Sequence, residues 1–292
     1  MDAFTIKDLE YLSGIKAHTI RVWEQRYSFL NPQRTQTNIR YYNNQELKML
    51  LNVSLLHKYG FKISHIDKMA QEEMRQKVLS LSQAQAQQER TVNDLLQYMI
   101  DMDLESFEDT LNYFFATKGV ERSIAQIVFP FLEKLGVLWQ TSHINAAQEH
   151  LVSNIIRQKL IVGIDSIATH LHAPSSVLLF LPEGEYHELG LLFTHYLLKA
   201  HGVPVLYLGA NVPLKDVASL VRIKKPDWLY CHLTSVGHHF SIEQFIQLLS
   251  ANFPAQKIVL SGIIAQRYKK RLPEPIQMKS SLTEVVEFIT AL

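Results

Sequence analysis

The sequence predicts three successive folded parts: an N-terminal all-α winged helix-turn-helix, a central four-helix bundle, and a C-terminal α/β Rossmann-like (flavodoxin-like) domain with a parallel sheet. Three observations support this fold class. Two short helical patterns meet at Gly14, close to the N-terminus. In the middle of the chain, apolar residues recur three and four positions apart, as in amphipathic helices. After Pro174, apolar strands alternate with helices, which is typical of a mostly parallel sheet covered on both faces.

Length and composition describe an ordinary globular protein. The 292 residues are enough for two or three domains, and 47% hydrophobic with 20% charged residues is a normal balance. The formal net charge is +1, so binding to nucleic acid would depend on local clusters of charge. Cys231 is the single cysteine, which excludes an internal disulfide and a cysteine-based zinc site. No apolar run approaches the roughly 20 residues of a membrane span, so we expect a cytoplasmic protein without a membrane partner.

The first two helices have recognisable ends. Thr5 is placed to cap the first helix, with Asp8 in the capping-box position and Gly14 after its end. The second helix is expected over residues 17–27, with Ile20 and Trp23 facing inward. Two such helices joined by a tight turn form a helix-turn-helix, whose second helix enters the major groove of DNA. An ordinary helical hairpin with a solvated basic face is the alternative.

A polar hairpin is predicted next, over residues 33–42. It carries Arg34 and Arg40, and helices are expected from Asn44 to His57 and near Ile63. Winged helix-turn-helix proteins use such a hairpin to contact phosphates and the minor groove beside the recognition helix. The order of these elements therefore favours a DNA-binding domain over a simple helical hairpin.

Residues 3–72 resemble the MerR family. The resemblance rests on the patterns Ile20-Arg21-x-Trp23-Glu24-x-Arg26-Tyr27, Leu30-x-Pro32, Arg40-x-Tyr42 and Lys58-x-Gly60; one departure is Ser28-Phe29, where Gly-Leu is commoner. It implies a winged domain at residues 1–72 that binds double-stranded DNA as a homo-oligomer, with a dimer on a pseudo-palindromic operator. The residues that it places at the DNA are Lys16, His18, Thr19, Arg21, Arg26, Tyr27, Arg34, Arg40 and Tyr41.

The middle of the chain is predicted to be helical. Residues 73–90 are rich in glutamine and free of proline and glycine, which suits a partly helical linker. They show no sustained apolar heptad, so dimer contacts are expected elsewhere. Residues 91–172 are expected to form the helical bundle. Its four helical patterns are Val92–Ile100, Leu104–Lys118, Gly119–Gln140 and Asn145–Ala168.

One segment of this bundle carries a signature. Trp139 alone would be read as bundle core, and Glu149 and His150 alone as helix surface. Together they resemble the helical cap over cobalamin in light-sensing or cobalamin-responsive MerR-type repressors. The resemblance implies that Trp139 shields the upper corrin face and that Glu149 and His150 frame the upper pocket. Light-sensing members can carry a histidine where this chain has Gln140; His143 could replace it if the backbone allowed.

The segment between the first strand of the C-terminal domain and the next helix holds the main candidate, His187. Ligands bind in open α/β sheets at loops that follow the carboxyl ends of strands. A local structural histidine, a catalytic base and a metal ligand held through a nearby carboxylate are the three interpretations of this residue. The sequence contains no Gly-x-Gly-x-x-Gly motif or phosphate loop, which disfavours nucleotide binding.

The spacing Glu185-x-His187-x-x-Gly190 resembles the cobalt-ligating loop of cobalamin-binding Rossmann-like domains. The resemblance implies a domain at residues 173–292 with His187 as the lower cobalt ligand and Gly190 at the corrin. It adds two further loops around the cofactor's tail, one with Thr234 and Ser235 and one with Ser261 and Gly262. Ser261 departs from a commoner Gly-Gly pair. The cofactor is expected to be adenosylcobalamin or methylcobalamin.

These observations predict a regulator that is not an enzyme. It is expected to be a DNA-binding repressor, a dimer or tetramer, that is controlled by cobalamin held between the cap and the sheet domain. A light response of this cofactor is left open. The alternative is that the domain has lost its cofactor and serves as an oligomerisation module, a sensor of another ligand or a protein-interaction module. A corrinoid-dependent methyltransferase or mutase subunit fits less well, since such enzymes need a substrate domain, often a barrel of about 250 residues.

Overall fold

The computed structural model describes residues 3–141, 143–168, 173–235 and 240–292. The chain divides into two compact units, Met1–Ile156 and Arg157–Leu292. Among the described residues, no helix has the length and apolarity that spanning a membrane requires. The predicted fold class is confirmed, with a helical N-terminal region, a helical bundle and a C-terminal parallel sheet.

The first unit begins with the winged helix-turn-helix. The Thr5–Asp8 capping box and a left-handed Gly14, with φ 74°, delimit the first helix as predicted, because each satisfies backbone groups that a helix end leaves unpaired. A short antiparallel hairpin forms the wing. In order, the elements are α1 (Ile6–Ser13), α2 (Ala17–Arg26), β1 (Gln33–Arg34), β2 (Arg40–Tyr41), α3 (Asn44–Lys58), α4 (Ile63–Ile66) and α5 (Gln71–Leu79).

A helical bundle follows within the same unit. Residues 73–90, expected to form a partly helical linker, are helical in α5 up to Leu79 and again from Ala84, where the next helix starts. Ala86 is fully buried and Glu89 pairs with Lys58, so tertiary contacts hold this glutamine-rich segment as helix. The elements are α6 (Ala84–Asp101), α7 (Leu104–Lys118), α8 (Val120–Ser123), a π-helical turn (Ile124–Val128), α9 (Phe129–Gln140) and α10 (Ala146–Asp165), which contains the division between the units.

The second unit is a five-stranded parallel sheet with the strand order β4-β3-β5-β6-β7. This is the flavodoxin-like order. The first strand is buried along its whole length, as its continuous apolar run predicted. The elements are β3 (Val177–Pro182), α11 (Leu189–Ala200), β4 (Val205–Val212), α12 (Leu214–Lys224), β5 (Trp228–His232), α13 (Ile242–Asn252), β6 (Lys257–Ser261), α14 (Ile263–Arg267), β7 (Ile276–Lys279) and α15 (Leu282–Thr290).

Two elements of this unit, α14 and β7, were not predicted. β7 has four residues at the sheet edge and only Ile276 is buried, so it lacks the apolar run of an inner strand. β4 continues to Val212, beyond its apolar run Val205–Leu208, because Val212 pairs with Pro182 after a register shift. One face of the sheet is covered by apolar residues of α12 and α13, including Val217, and Cys231 is buried.

Candidate functional site

The sheet places two predicted loops side by side. From β3 the chain passes to β4 on one side, and it later returns to β5 on the other side. The carboxyl ends of β3 and β5 therefore form a topological switch point, which is where open α/β sheets bind ligands. Glu185 and His187 follow β3, and Thr234 and Ser235 follow β5. The structure brings these four residues together.

Glu185 connects the two loops through a fully buried carboxylate. Its Oε1 accepts a hydrogen bond from the His187 backbone N–H at 2.9 Å and lies 2.7 Å from His187 Nδ1. Its Oε2 accepts the backbone N–H groups of Thr234 at 2.9 Å and Ser235 at 2.7 Å. Burial alone would raise the pKa of Glu185, but the hydrogen bonds from His187, Ser235 and Thr234 outweigh it and hold the pKa below its ordinary value.

This contact determines which nitrogen of His187 can act as a ligand. A carboxylate beside Nδ1 favours the proton on Nδ1 and leaves the lone pair on Nε2. The His187 side chain is 53% exposed, so its ring is anchored at one edge and still reaches the surface. An imidazole oriented by a buried carboxylate suits a metal ligand, and the same arrangement would also orient a general base. The residues present therefore fit the lower side of a cobalt corrinoid.

His232, at the end of β5, is a site residue that the sequence analysis missed. Its Nδ1 lies 2.8 Å from Ser261 Oγ, which also accepts the Tyr230 hydroxyl at 2.7 Å. The Tyr230 hydroxyl in turn accepts Thr194 Oγ1 at 3.4 Å. Burial lowers the pKa of His232 to about 4, so the ring is neutral near pH 7. Its position as a polar residue at the carboxyl end of a strand was the available signal.

Two glycines permit close packing around His232 and the third loop. A Cβ atom on Gly190 would lie 2.2 Å from His232 Nε2, so only glycine leaves room for the imidazole. Gly262 has φ +92°, and a Cβ there would lie 2.3 Å from the carbonyl oxygen of Leu233. Ser261 is buried within its hydrogen-bond network. The side chains of Thr234 and Ser235 are exposed, while their amides hold Glu185.

The N-terminal unit displays the predicted DNA-facing residues. Ile20 and Trp23 of α2 are buried, as expected. Arg21 and the wing residues Ile39 and Arg40 line one concavity of about 230 Å³. The structure thus brings the second helix and the wing to a common surface. On and around α2, Lys16, His18, Arg21 and Arg26 are exposed, and Thr19 and Tyr27 are half-buried.

Several of these polar side chains already have partners within the unit. Arg40 Nε lies 3.0 Å from Glu24 Oε2, and the Tyr42 hydroxyl donates to the same carboxylate. Arg34 Nη1 donates to Asn38 Oδ1 at 2.7 Å in the exposed wing. Elsewhere, Lys16 pairs with Glu10 and the Tyr41 hydroxyl donates to Gln33. The pair Arg40–Glu24 fixes the wing to the second helix.

The bundle residues with the cap signature also lie in the first unit. Trp139, in the last turn of α9, is 49% exposed rather than core. Glu149 lies in the first turn of α10 and pairs with His150, whose Nδ1 is 3.0 Å from Glu149 Oε2. His143, considered as a substitute cobalt ligand, is instead buried with its Nε2 2.7 Å from Asp8 Oδ2.

Comparison with known proteins identified two relatives from Myxococcus xanthus. The HTH-type transcriptional repressor CarH is 29% identical over 226 residues, which cover 75% of this chain and 74% of CarH. The HTH-type transcriptional repressor CarA is 28% identical over 275 residues, which cover 91% of this chain and 89% of CarA. Both similarities extend well beyond the winged domain.

Family models and a solved structure add to these matches. The monomethylamine corrinoid protein of Methanosarcina barkeri shares the fold, with a TM-score of 0.55 and 12% identity over 68% of this chain and 96% of that protein. Residues 4–73 match the MerR HTH family regulatory proteins, and residues 91–162 match the B12 binding domain. The chain therefore combines a MerR-type helix-turn-helix region with a region that matches the B12 binding domain, and it is similar over most of its length to two transcriptional repressors.

Proposed function

We propose that the protein is a cytoplasmic repressor whose binding to a double-stranded operator is controlled by cobalamin, with His187 as the lower cobalt ligand. The observation that carries this proposal is the 2.7 Å contact between His187 Nδ1 and the buried carboxylate of Glu185 at the sheet's switch point. Such a carboxylate orients a metal-ligating imidazole and raises its basicity. The family matches favour this role over that of a catalytic base.

The chain's own residues would hold the cofactor in defined ways. Glu185 would hold the Nδ1 proton of His187, so that Nε2 would be the nitrogen that holds the cobalt, and the amides of Thr234 and Ser235 fix Glu185. We assign the upper side of the corrin to Trp139, Glu149 and His150. When bound, cobalamin supplies a cobalt ion whose axial ligands can exchange. We propose adenosylcobalamin or methylcobalamin as the bound form.

The proposed DNA surface is the concavity between α2 and the wing. Arg21 and Arg40 line it, and exposed Arg34 extends it along the wing. Arginine contacts to phosphate supply affinity, and contacts from the second helix to base edges supply sequence preference. A homo-oligomer would present two such surfaces to a pseudo-palindromic operator. Cobalamin controls binding if it favours one assembly state over another.

We do not propose a light response in which a second histidine captures the cobalt. Gln140 stands where a second ligand would be expected, and His143 is engaged by Asp8. We therefore propose that the presence and chemical form of the cofactor, rather than capture of cobalt by a second histidine, set the regulatory state.

The test is the visible absorption spectrum and operator affinity of the full chain with adenosylcobalamin or methylcobalamin, in the dark and after illumination. The matched variant is His187→Ala. We expect the wild-type chain to retain a corrin spectrum and to change operator affinity on loading, and the variant to lose the protein-ligated spectrum. A wild-type chain that stays colourless after incubation with both cobalamins would contradict the proposal and favour an interaction module.

A further inference from the structure

His187 lies between two acidic residues that are anchored to different parts of the second unit. Glu185, on one side, is bonded to the loop after β5. Glu188, on the other side, directly precedes α11, and its carbonyl oxygen accepts the Leu192 amide in the first turn of that helix. The role of Glu185 follows from its contact with the imidazole. Glu188 instead makes a separate set of contacts.

The Glu188 carboxylate has a partner on each oxygen. Arg157 Nε of α10 lies 2.5 Å from Oε1, and the Tyr207 hydroxyl of β4 donates to Oε2 at 3.0 Å. The Glu188 side chain is 18% exposed and the Arg157 side chain 47%, so the carboxylate is largely desolvated while the arginine also reaches solvent. Charge-assisted hydrogen bonds to such a carboxylate are stronger than those between neutral groups. Both partners are held by regular secondary structure.

Tyr207 is itself firmly placed. Its ring stacks on His195 of α11 with a centroid distance of 5.1 Å and an interplanar angle of 18°. Burial, and then the negative charge of Glu188, raise the pKa of Tyr207, so the hydroxyl keeps its proton and remains a donor. Burial also lowers the pKa of His195 to about 4, which keeps that ring neutral. The contact with Glu188 therefore persists through the physiological pH range.

From these contacts we infer that Arg157, Glu188 and Tyr207 are positioning residues for His187. They fix the peptide that follows the histidine, as Glu185 fixes the imidazole and the preceding turn. Without them, the ring keeps its carboxylate partner but the backbone that carries it can shift. Because a displacement of about 1 Å can cost a factor of about 100 at a metal or reaction centre, this bracing sets how completely His187 coordinates cobalt.

This inference rests on the proposed function and deepens it. Its probe is cobinamide, a corrinoid that lacks a nucleotide base and so brings no nitrogenous base of its own to the cobalt. The bound corrinoid is reduced to Co(II), and electron paramagnetic resonance reports an axial nitrogen through its superhyperfine splitting. The acid midpoint at which this splitting disappears is measured in the same samples. Both readouts describe coordination, so a merely structural role would not move them in correctly folded protein.

The variants are Tyr207→Phe, Glu188→Gln, Arg157→Met and Arg157→Lys, with His187→Ala as the ligand control. Tyr268→Phe and Arg222→Met are matched controls on other parts of the unit. We expect about a tenfold loss in the ratio of nitrogen-coordinated to uncoordinated Co(II), and a higher acid midpoint, for Tyr207→Phe, Glu188→Gln and Arg157→Met. Arg157→Lys should restore part of the loss because it keeps the charge. The two controls should behave as wild type.

The outcomes separate the two proposals. If wild type shows nitrogen coordination that His187→Ala loses, and the three positioning variants match wild type, His187 ligation stands and the positioning role is wrong. If wild type itself shows no nitrogen coordination, both proposals are overturned. Circular dichroism identifies any variant that fails to fold; Tyr207→Phe, which removes a single oxygen atom, then carries the test.

Discussion

His143 and Asp8 lie 135 positions apart in the sequence and form a buried pair, with His143 Nε2 2.7 Å from Asp8 Oδ2. The same carboxylate oxygen accepts the Thr5 amide and hydroxyl of the capping box, and the His143 ring packs on Phe4 at 4.7 Å. The loop between α9 and α10 therefore contacts the first helix of the DNA-binding region. Lys134 of α9 contacts the other end of that helix by donating to the carbonyl oxygen of Leu12 at 2.8 Å.

We expect His143→Ala to lower the free energy of unfolding of the N-terminal unit by about 1–3 kcal/mol, because it leaves a buried carboxylate oxygen without its imidazole partner. Denaturant unfolding at neutral pH measures the loss. His18→Ala, at an exposed position of α2, is the control and should stay within about 0.5 kcal/mol of wild type. Equal stability of the two variants would show that the pair contributes nothing.

The buried Lys134 should make the free energy of unfolding depend on pH in the alkaline range. Burial lowers the pKa of this lysine from 10.5 to about 8 in the folded chain. Between these values the unfolded chain binds more protons than the folded one, so stability attributable to Lys134 rises with pH from about 8 to 10.5. Complete titration corresponds to about 3 kcal/mol. Across this range, the free energy of unfolding of wild type should rise by that amount relative to that of Lys134→Met. Parallel pH dependence of the two proteins would contradict this prediction.

The carboxylate beside His187 predicts an effect on cofactor affinity. Glu185→Gln keeps the size of the side chain but weakens the hold on the Nδ1 proton, so we expect affinity for aquacobalamin to fall by about 10- to 100-fold. Absorbance titration measures it. Glu183→Gln, an exposed position in the same loop, is the matched control and should bind like wild type. A similar loss in both variants would mean that general loop charge, not the pair with His187, is responsible.

A side chain at Gly190 should clash with His232, and a second substitution at His232 should relieve the clash. Gly190→Ala places a Cβ 2.2 Å from His232 Nε2, and overpacking of this kind costs about 1–3 kcal/mol. Combining it with His232→Ala removes the imidazole and should recover part of the stability that Gly190→Ala loses. A thermodynamic cycle of the two single variants and the double variant measures the coupling. Strictly additive losses would argue against direct packing.

Substitution of the wing arginines should change the salt dependence of DNA binding. Arg34→Ala removes one exposed charge, so we expect weaker binding to operator and to unrelated DNA alike, with the slope of log affinity against log salt reduced by about 0.9. Arg40→Ala should do the same and also destabilise the fold, because it leaves the buried Glu24 without its ion pair. Fluorescence anisotropy at several salt concentrations is the measurement, with exposed Arg122→Ala as control. An unchanged slope for both wing variants would refute the wing assignment.

Local signals in the sequence were sufficient for much of the fold. Some features depend only on residues that are neighbours in the sequence, and these were predictable. They are the capping box at Thr5 and Asp8, the helix end at Gly14 and the apolar run of β3. β7 was not predicted because an edge strand of four residues with a single buried side chain has no apolar pattern in the sequence. Residues 73–90 were predicted to be partly helical, but the packing of residues 84–90 into the bundle was not predictable because it depends on contacts with α3 and on the burial of Ala86.

The sequence by itself determined the order of the three parts and the loop that holds His187, because helix caps, apolar periodicity and motif spacing are local properties of a chain. Only the tertiary structure decided which side chains meet. It placed His232 against Gly190, turned His143 toward Asp8 and joined Glu188 to Arg157 and Tyr207. These contacts join residues that are distant in sequence, and the packing of helices and strands brings them within hydrogen-bonding distance.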